Sequence, residues 1–107
     1  MAVHIEVDSK SLNISRLRSI IDSKGCGSVV SFVGLTRDNE DGVPVKGLEF
    51  DAWEDKLPKV LRTIAEEAIS IFGVISIVIS HRTGFVKPGR EIVCIHVGSA
   101  HRAEGFS

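Results

Sequence analysis

The stretch Glu91-Ile-Val-Cys-Ile-His-Val-Gly-Ser-Ala-His-Arg102 decides the fold. It begins as a β-branched apolar run, which predicts a strand, and Gly98 then permits a sharp turn. Ser99 is a candidate N-cap, so the pattern predicts a helix whose first turn holds His101 and Arg102. A helix N-terminus attracts anions through its unpaired N–H groups and partial positive charge. Two interpretations follow from these residues, an anion pocket or an exposed basic pair at a frayed end.

Apolar patterns on either side of this stretch predict the remaining elements. The predicted strands cover 2–7, 28–33, 45–52, 74–82 and 91–97, and the predicted helices cover 13–23 and 55–71. Asn13 and Asp55 are candidate N-caps, and Gly73 fits the C′ position after the second helix. Pro88-Gly89 predicts a turn before an antiparallel return. The order predicts an α+β domain, a mostly antiparallel sheet with its two main helices on one side. The predicted buried stripe of the second helix is Leu57, Leu61, Ile64, Ala65, Ala68 and Ile71 or Phe72.

Length and composition are those of a single globular domain over residues 1–107. Hydrophobic residues make up 43% and charged residues 25%, which excludes a disordered chain. The net charge of −1 argues against nucleic acid as the main partner. The chain has neither a signal-peptide pattern nor an apolar run near the ~20 residues that span a bilayer, so we expect a cytoplasmic protein with no membrane partner. Cys26 and Cys94 lack CxxC spacing and are expected to be reduced core residues, with a disulfide between them as the alternative.

The candidates for chemistry are few. The four histidines have no neighbours at metal-ligand spacing, so neither a metal nor a cofactor is predicted. No HExxH, GxGxxG or nucleophile-elbow pattern is present. The remaining candidates are Arg37, His81, Arg82, His101 and Arg102, whose guanidinium and imidazole groups suit a phosphate or a carboxylate. Because the predicted polar loop 34–42 surrounds Arg37 with acidic residues, a surface ion pair is the alternative role for Arg37.

Several stretches together resemble the large, catalytic subunit of molybdopterin synthase. They are Phe32-Val-Gly-Leu-Thr-Arg37, Leu48-Glu-Phe-Asp-Ala-Trp53, Ile79-Ser-His-Arg-Thr-Gly84, Lys87-Pro-Gly-Arg-Glu-Ile-Val93 and Val97-Gly-Ser-Ala-His-Arg102. Each match is short, but their order and spacing extend over nearly the whole chain. The resemblance implies the α/β hammerhead fold.

The resemblance also implies a sulfurtransferase of molybdenum cofactor biosynthesis. Its substrate would be cyclic pyranopterin monophosphate, which gains two sulfur atoms to become molybdopterin. The sulfur donor would be the C-terminal thiocarboxylate of a small ubiquitin-like carrier subunit, and the assembly a homodimer within a heterotetramer. The positions that match the family's substrate-binding residues are Arg37, His101 and Arg102. His101 is in addition a candidate catalytic residue, because an imidazole can carry protons.

The chain departs from the family pattern after the signature. The family continues there, and two lysines regarded as catalytic fall in that later part, whereas this chain ends at Ser107 and is expected to be a C-terminally short domain. Lys46, Lys56, Lys59 and Lys87 lie in unrelated segments, so none is assigned a catalytic role. The alternatives are a non-catalytic relative that dimerises or binds the carrier, and a generic phosphate-binding domain. An exposed apolar patch on the sheet is also expected.

Overall fold

The computed structural model describes residues 2–8, 11–37, 39–40, 43–44, 48–50 and 56–106. In chain order its elements are β1 (Ala2–Asp8), α1 (Ile14–Ile20), β2 (Ser28–Leu35), β3 (Asn39–Glu40), β4 (Val43–Pro44), β5 (Leu48–Phe50), α2 (Leu57–Phe72), β6 (Ser76–Arg82), β7 (Gly84–Val86), β8 (Glu91–Ser99) and α3 (Arg102–Phe106). The main sheet has the order β1-β6-β8-β2. β1 runs parallel to β6, and the other neighbours are antiparallel. The predicted α+β class with a mostly antiparallel sheet is confirmed.

The remaining strands form two small pairs, β3 with β4 and β5 with β7. Residues 39–40 of the predicted loop 34–42 are therefore a strand, and the first two residues of that loop extend β2. Several predictions lie outside the described residues, namely the cap Asp55, Lys46, the ends of the predicted strand 45–52, and the acidic neighbours Asp38 and Asp41 of Arg37.

β8 is the strand around which the sheet is built, because it lies between β6 and β2. It continues straight through Gly98 to Ser99, so the predicted turn at Gly98 is wrong. Glycine is needed there for a different reason. A Cβ at Gly98 would lie 2.8 Å from the Cys26 sulfur, which packs against this end of the strand.

The two main helices cover opposite faces of the sheet, so the prediction that both lie on one side is wrong. On one face, Leu17 and Ile21 from the α1 region pack with Val78 and Cys94. On the other, Ala65 of α2 packs with a cluster that includes Val74, Ile77 and Ile79. Successive residues of a strand point to opposite sides, and β6 is buried on both. The nearly unbroken apolar run of β6 was the sequence signal for this arrangement.

α1 begins as predicted and ends earlier. Asn13 is its N-cap, and its side chain accepts a hydrogen bond from the Arg16 N–H at 3.0 Å. The helix ends at Ile20 rather than residue 23, because Ile21 adopts an extended conformation that turns its side chain into the core.

α2 ends as predicted but buries a narrower stripe. Gly73 has a left-handed φ of 70°, and its N–H donates to the Ile69 carbonyl at 3.0 Å. Ala65 is buried, whereas Ile64 and Ile71 are 53% and 70% exposed. Their predicted burial is wrong, because α2 packs mainly on β1 and β6, which cover only one side of it.

Candidate functional site

The predicted anion-binding residues lie at opposite ends of the β2–β8 pair. In the antiparallel register, Ser28 is opposite Ser99 and Leu35 is opposite Glu91. Arg37 follows the end of β2, whereas His101 and Arg102 follow the end of β8. The length of β2 therefore separates the two groups, and at about 3.3 Å per residue this is roughly 23 Å. A single chain does not bring Arg37 together with His101 and Arg102.

At the Arg37 end, the loop after β2 is bound to the turn before β8. The Thr36 N–H donates to the Arg90 carbonyl at 2.9 Å, and the Gly89 N–H donates to the Thr36 carbonyl at 2.7 Å. Arg37, Lys87 and Arg90 are all exposed around this contact. This contact therefore brings three cationic side chains to one end of the β2–β8 pair.

His81 and Arg82 end β6 at the same end of the sheet as Arg37, since His81 is opposite Val93 of β8. Both side chains are partly buried. The His81 Nδ1–H donates to the Arg82 carbonyl at 2.8 Å, which fixes the orientation of the imidazole. The pair is therefore near the Arg37 corner and far from His101.

At the other end of the sheet, α3 begins at Arg102, immediately after His101. The predicted N-cap role of Ser99 is wrong, because Ser99 belongs to β8. Its hydroxyl donates to the His101 carbonyl at 2.7 Å and lies 3.1 Å from the Ser28 hydroxyl. His101 Nδ1 lies 3.5 Å from Glu104 Oε1. His101 and Arg102 are both exposed, so the imidazole and the guanidinium group face solvent.

An apolar groove opens beside α3, on the face of the sheet that α2 covers only in part. Its lining includes Val30, Phe32, Ile95, Val97 and Phe106. Phe32 is 58% exposed and Phe106 is 73% exposed. The expected apolar patch is thus present, next to β2 at the edge of the described sheet.

A polar cluster around the buried His96 on the α1 face was missed by the sequence analysis. Ser31 Oγ lies 2.6 Å from His96 Nδ1, and His96 Nε2 lies 3.3 Å from Cys94 Sγ. Burial lowers the pKa of His96, the Ile14 carbonyl opposes this effect, and the Arg18 charge adds to it. Burial raises the pKa of the Cys94 thiol. The spacing of Cys94 and His96, two residues apart in an apolar strand, was the available signal.

A second titratable group, the Glu6 carboxylate on β1, is paired with Arg16 of α1 on the same face. Arg16 makes two hydrogen bonds to the Glu6 carboxylate, at 2.5 and 3.0 Å, and His4 Nε2 lies 2.7 Å from the same carboxylate. The Arg16 guanidinium, followed by His4, lowers the pKa of Glu6 from 4.5 to about 2.

Among the described residues, no three His, Cys, Asp or Glu side chains are grouped as a metal site would require. Both cysteines are free thiols, with Cys94 in the core and Cys26 partly buried. Within the same part of the chain, no helix has the length and apolar character needed to cross a membrane.

Comparison with known proteins connects these features to one family. The model of the family described as "MoaE protein" matches residues 7–107. A Drosophila willistoni protein named molybdopterin synthase catalytic subunit is 37% identical over 92% of this chain and 27% of its own length. A protein of the same name from Emericella nidulans is 31% identical over 97% of this chain and 53% of its own length. This chain therefore spans about a quarter and about half of these two relatives.

A solved structure supports the same relationship. The structure described as molybdopterin synthase from Staphylococcus aureus has a TM-score of 0.84 and 28% sequence identity to this chain. The match covers 94% of this chain and 74% of that one. The fold described above is thus the fold of that structure over nearly all of this chain.

Proposed function

Because the chain belongs to the MoaE protein family, over residues 7–107, we propose that it is the catalytic subunit of a cytoplasmic molybdopterin synthase. In this function it transfers sulfur from a thiocarboxylated small carrier subunit to cyclic pyranopterin monophosphate. The observation that carries the proposal is that the three positions matching the family's substrate-binding residues, Arg37, His101 and Arg102, are all exposed. The guanidinium groups of Arg37 and Arg102 suit the substrate phosphate, since a guanidinium can donate two parallel hydrogen bonds to phosphate oxygens.

The substrate site is assembled from two protomers. Arg37 is a strand length away from Arg102 in one chain, so one phosphorylated pterin cannot contact both within a protomer. β2 forms an edge of the described sheet, and a two-fold axis near its middle would reverse the partner's β2. Arg37 of one protomer would then lie beside the partner's His101 and the partner's Arg102. Exposed Phe32 and Leu35 on β2 support an interface at this edge.

His101 has the proton-transfer role in this proposal. Its imidazole faces solvent next to Arg102, and Glu104 lies within 3.5 Å of Nδ1. An imidazole in this position can carry protons while sulfur replaces oxygen on the pterin. The homodimer binds one carrier subunit per protomer, which makes a heterotetramer.

Substrate binding by single variants tests the site residues. Arg37→Ala and Arg102→Ala are each expected to weaken binding of cyclic pyranopterin monophosphate by about 1–3 kcal/mol, or roughly 5- to 150-fold, measured by titration calorimetry. Arg62→Ala is the matched control, because Arg62 is an exposed arginine on α2. Unchanged binding in both site variants would contradict the assignment.

Mixing the two variants tests whether the site is shared. A mixed dimer of Arg37→Ala and Arg102→Ala protomers has one site that lacks both arginines and one site that keeps both. Binding at near wild-type affinity is therefore expected to return, with about half the wild-type number of sites in each mixed dimer. If each site belonged to a single chain, mixing would restore no binding.

The second candidate function is a non-catalytic relative that binds the carrier. It is supported by the exposed apolar groove beside α3, because an exposed apolar surface can bind a partner protein without catalysis. Incubation with the pterin and a thiocarboxylated carrier, followed by detection of molybdopterin, separates the two functions. Carrier binding without product supports the second function, whereas product formation supports the first.

A further inference from the structure

We propose that Glu104 is a positioning residue, which holds the His101 imidazole in the tautomer that accepts a proton on Nε2. This role rests on the proposed function, in which His101 carries protons. It adds to that function a residue of α3 that is not among the substrate-binding positions. The Glu104 carboxylate acts on the imidazole, so its role requires no contact with the substrate.

The contact joins the two side chains at the start of α3. His101 Nδ1 lies 3.5 Å from Glu104 Oε1, and the two residues are three positions apart, a spacing that makes side chains neighbours on a helix. This distance is at the long end for a hydrogen bond, and catalytic contacts are often long before the substrate binds. A carboxylate oxygen can only accept a hydrogen bond, so the proton of the neutral imidazole is favoured on Nδ1.

The Glu104 carboxylate is oriented by its surroundings. Oε2 is enclosed by protein and has no hydrogen-bond partner among the residues that the structure describes. Oε1 is therefore the oxygen that meets the imidazole. The Glu104 side chain is 38% exposed and the His101 side chain is 81% exposed. The more buried carboxylate can thus fix the ring while most of the ring stays open to solvent.

The main chain on both sides of the contact is held against the sheet. The hydroxyl of the buried Ser99 donates to the His101 carbonyl at 2.7 Å. A Cβ on Gly105, the residue after Glu104, would lie 2.9 Å from Val30 Cγ2, so α3 packs directly on β2. The main chain therefore keeps the imidazole and the carboxylate within reach of each other.

This arrangement suits a base that gains and loses a proton repeatedly. With the ring proton on Nδ1, the lone pair of Nε2 is free to accept a proton from the substrate or from water. The imidazole then carries a positive charge, which the neighbouring carboxylate stabilises, as in other histidine–carboxylate pairs. The proton leaves from Nε2, while the Nδ1 proton stays between His101 and Glu104.

NMR of the isotope-labelled protein measures the tautomer directly. In alkaline solution, where imidazoles are neutral, long-range proton–nitrogen correlations show which ring nitrogen carries the proton, and His101→Gln identifies the His101 signals. The Nδ1–H form should predominate for His101 in the wild type and in Glu66→Gln, a control that changes an exposed glutamate of α2. Glu104→Ala should shift the population towards the Nε2–H form.

Glu104→Ala is expected to fold. Alanine is the most favourable residue in a helix, and the substitution removes a carboxylate oxygen that is enclosed without a donor among the described residues. Circular dichroism checks that the variant keeps its secondary structure.

Steady-state kinetics with the pterin and the thiocarboxylated carrier tests the consequence for catalysis. Glu104→Ala should lower kcat for molybdopterin formation about 5-fold, the size expected for an exposed ionic contact. The KM for the pterin should not change, because Arg37 and Arg102 still bind the phosphate. Glu66→Gln should keep both constants at their wild-type values.

Two results would overturn the proposal. One is an unchanged tautomer population of His101 in Glu104→Ala. The other is a raised KM with an unchanged kcat, because it would place Glu104 in substrate binding instead of proton transfer. If the wild type forms no molybdopterin, the proposed function fails, and the NMR measurement alone decides whether Glu104 sets the tautomer of His101.

Discussion

The two faces of the central sheet are built from alternate residues of the same strands, yet they have different chemistry. The α2 face has an aliphatic core that includes Ala65, Ile77 and Ile79. The α1 face combines an apolar cluster with the polar groups His96 and Glu6. Burial of aliphatic side chains stabilises a fold without regard to pH, whereas buried or paired titratable groups link stability to protonation. The α2 face should therefore dominate stability, and the α1 face should determine its pH dependence.

Removing side-chain volume from the α2 face should have the largest effect on stability. Ile79 is buried between the sheet and α2, and Ile79→Ala should lower the free energy of unfolding by about 2–5 kcal/mol, measured by urea denaturation. Ile64→Ala is the matched control, because Ile64 is 53% exposed on the same side. A similar loss in both variants would show that the aliphatic cluster is not the main source of stability.

Protonation of His96 should have the second largest effect on stability, and this effect should arise on the α1 face alone. Burial lowers the pKa of His96 below the ordinary 6.5, so the unfolded chain takes up a proton before the folded chain does. The contribution of His96 to the free energy of unfolding should be constant above pH 6.5, and it should decrease as the pH falls below 6.5. Urea denaturation at a series of pH values measures the slope.

His96→Gln is the control for that slope, because a glutamine side chain does not titrate. The variant should unfold at lower urea concentration at neutral pH but lose less stability between neutral and mildly acidic pH than the wild type. An unchanged acid slope in His96→Gln would assign the pH dependence to another group.

The comparison also explains which parts of the fold could be predicted from the sequence. The ends of elements with a local cause, such as the Asn13 cap and the left-handed Gly73, were predicted because the residue itself provides the hydrogen bond or the conformation. The apolar run of β6 indicates a strand that is buried on both faces, but it does not indicate which element covers each face. Gly98 was misassigned for the same reason, because its neighbour Cys26 is distant in sequence.

The candidate site follows the same rule. Arg37, His101 and Arg102 were identified from short motifs, but their separation becomes evident only from the antiparallel register of β2 and β8. The spacing of Cys94 and His96 on one strand was visible in the sequence, but Ser31 is 65 positions away from His96, so no local pattern could indicate that contact. Sequence motifs thus identified the groups, whereas strand pairing determines which groups can act together.

The smallest predicted effect concerns the other titratable group of the α1 face, Glu6. Its pKa is lowered to about 2 by the Arg16 guanidinium and then by His4, so its ionised form is stabilised by folding. This stability is present above the ordinary pKa of 4.5 and is lost as the pH falls towards 2. Because Arg16 is largely exposed, water and salt screen the pair, and its contribution should be well below that of Ile79.

Glu6→Gln should lose less stability than the wild type as the pH falls from 4.5 to about 2. This range is set by the ordinary and the lowered pKa of the carboxyl. The slope below pH 6.5 that belongs to His96 should remain, since the two groups titrate over different ranges. Thermal unfolding of the wild type, Glu6→Gln and His96→Gln across both windows measures the two contributions separately. If neither substitution changed the slope of stability against pH in its own pH range, the pH dependence would not arise on the α1 face. The proposed contrast between the two faces would then be wrong.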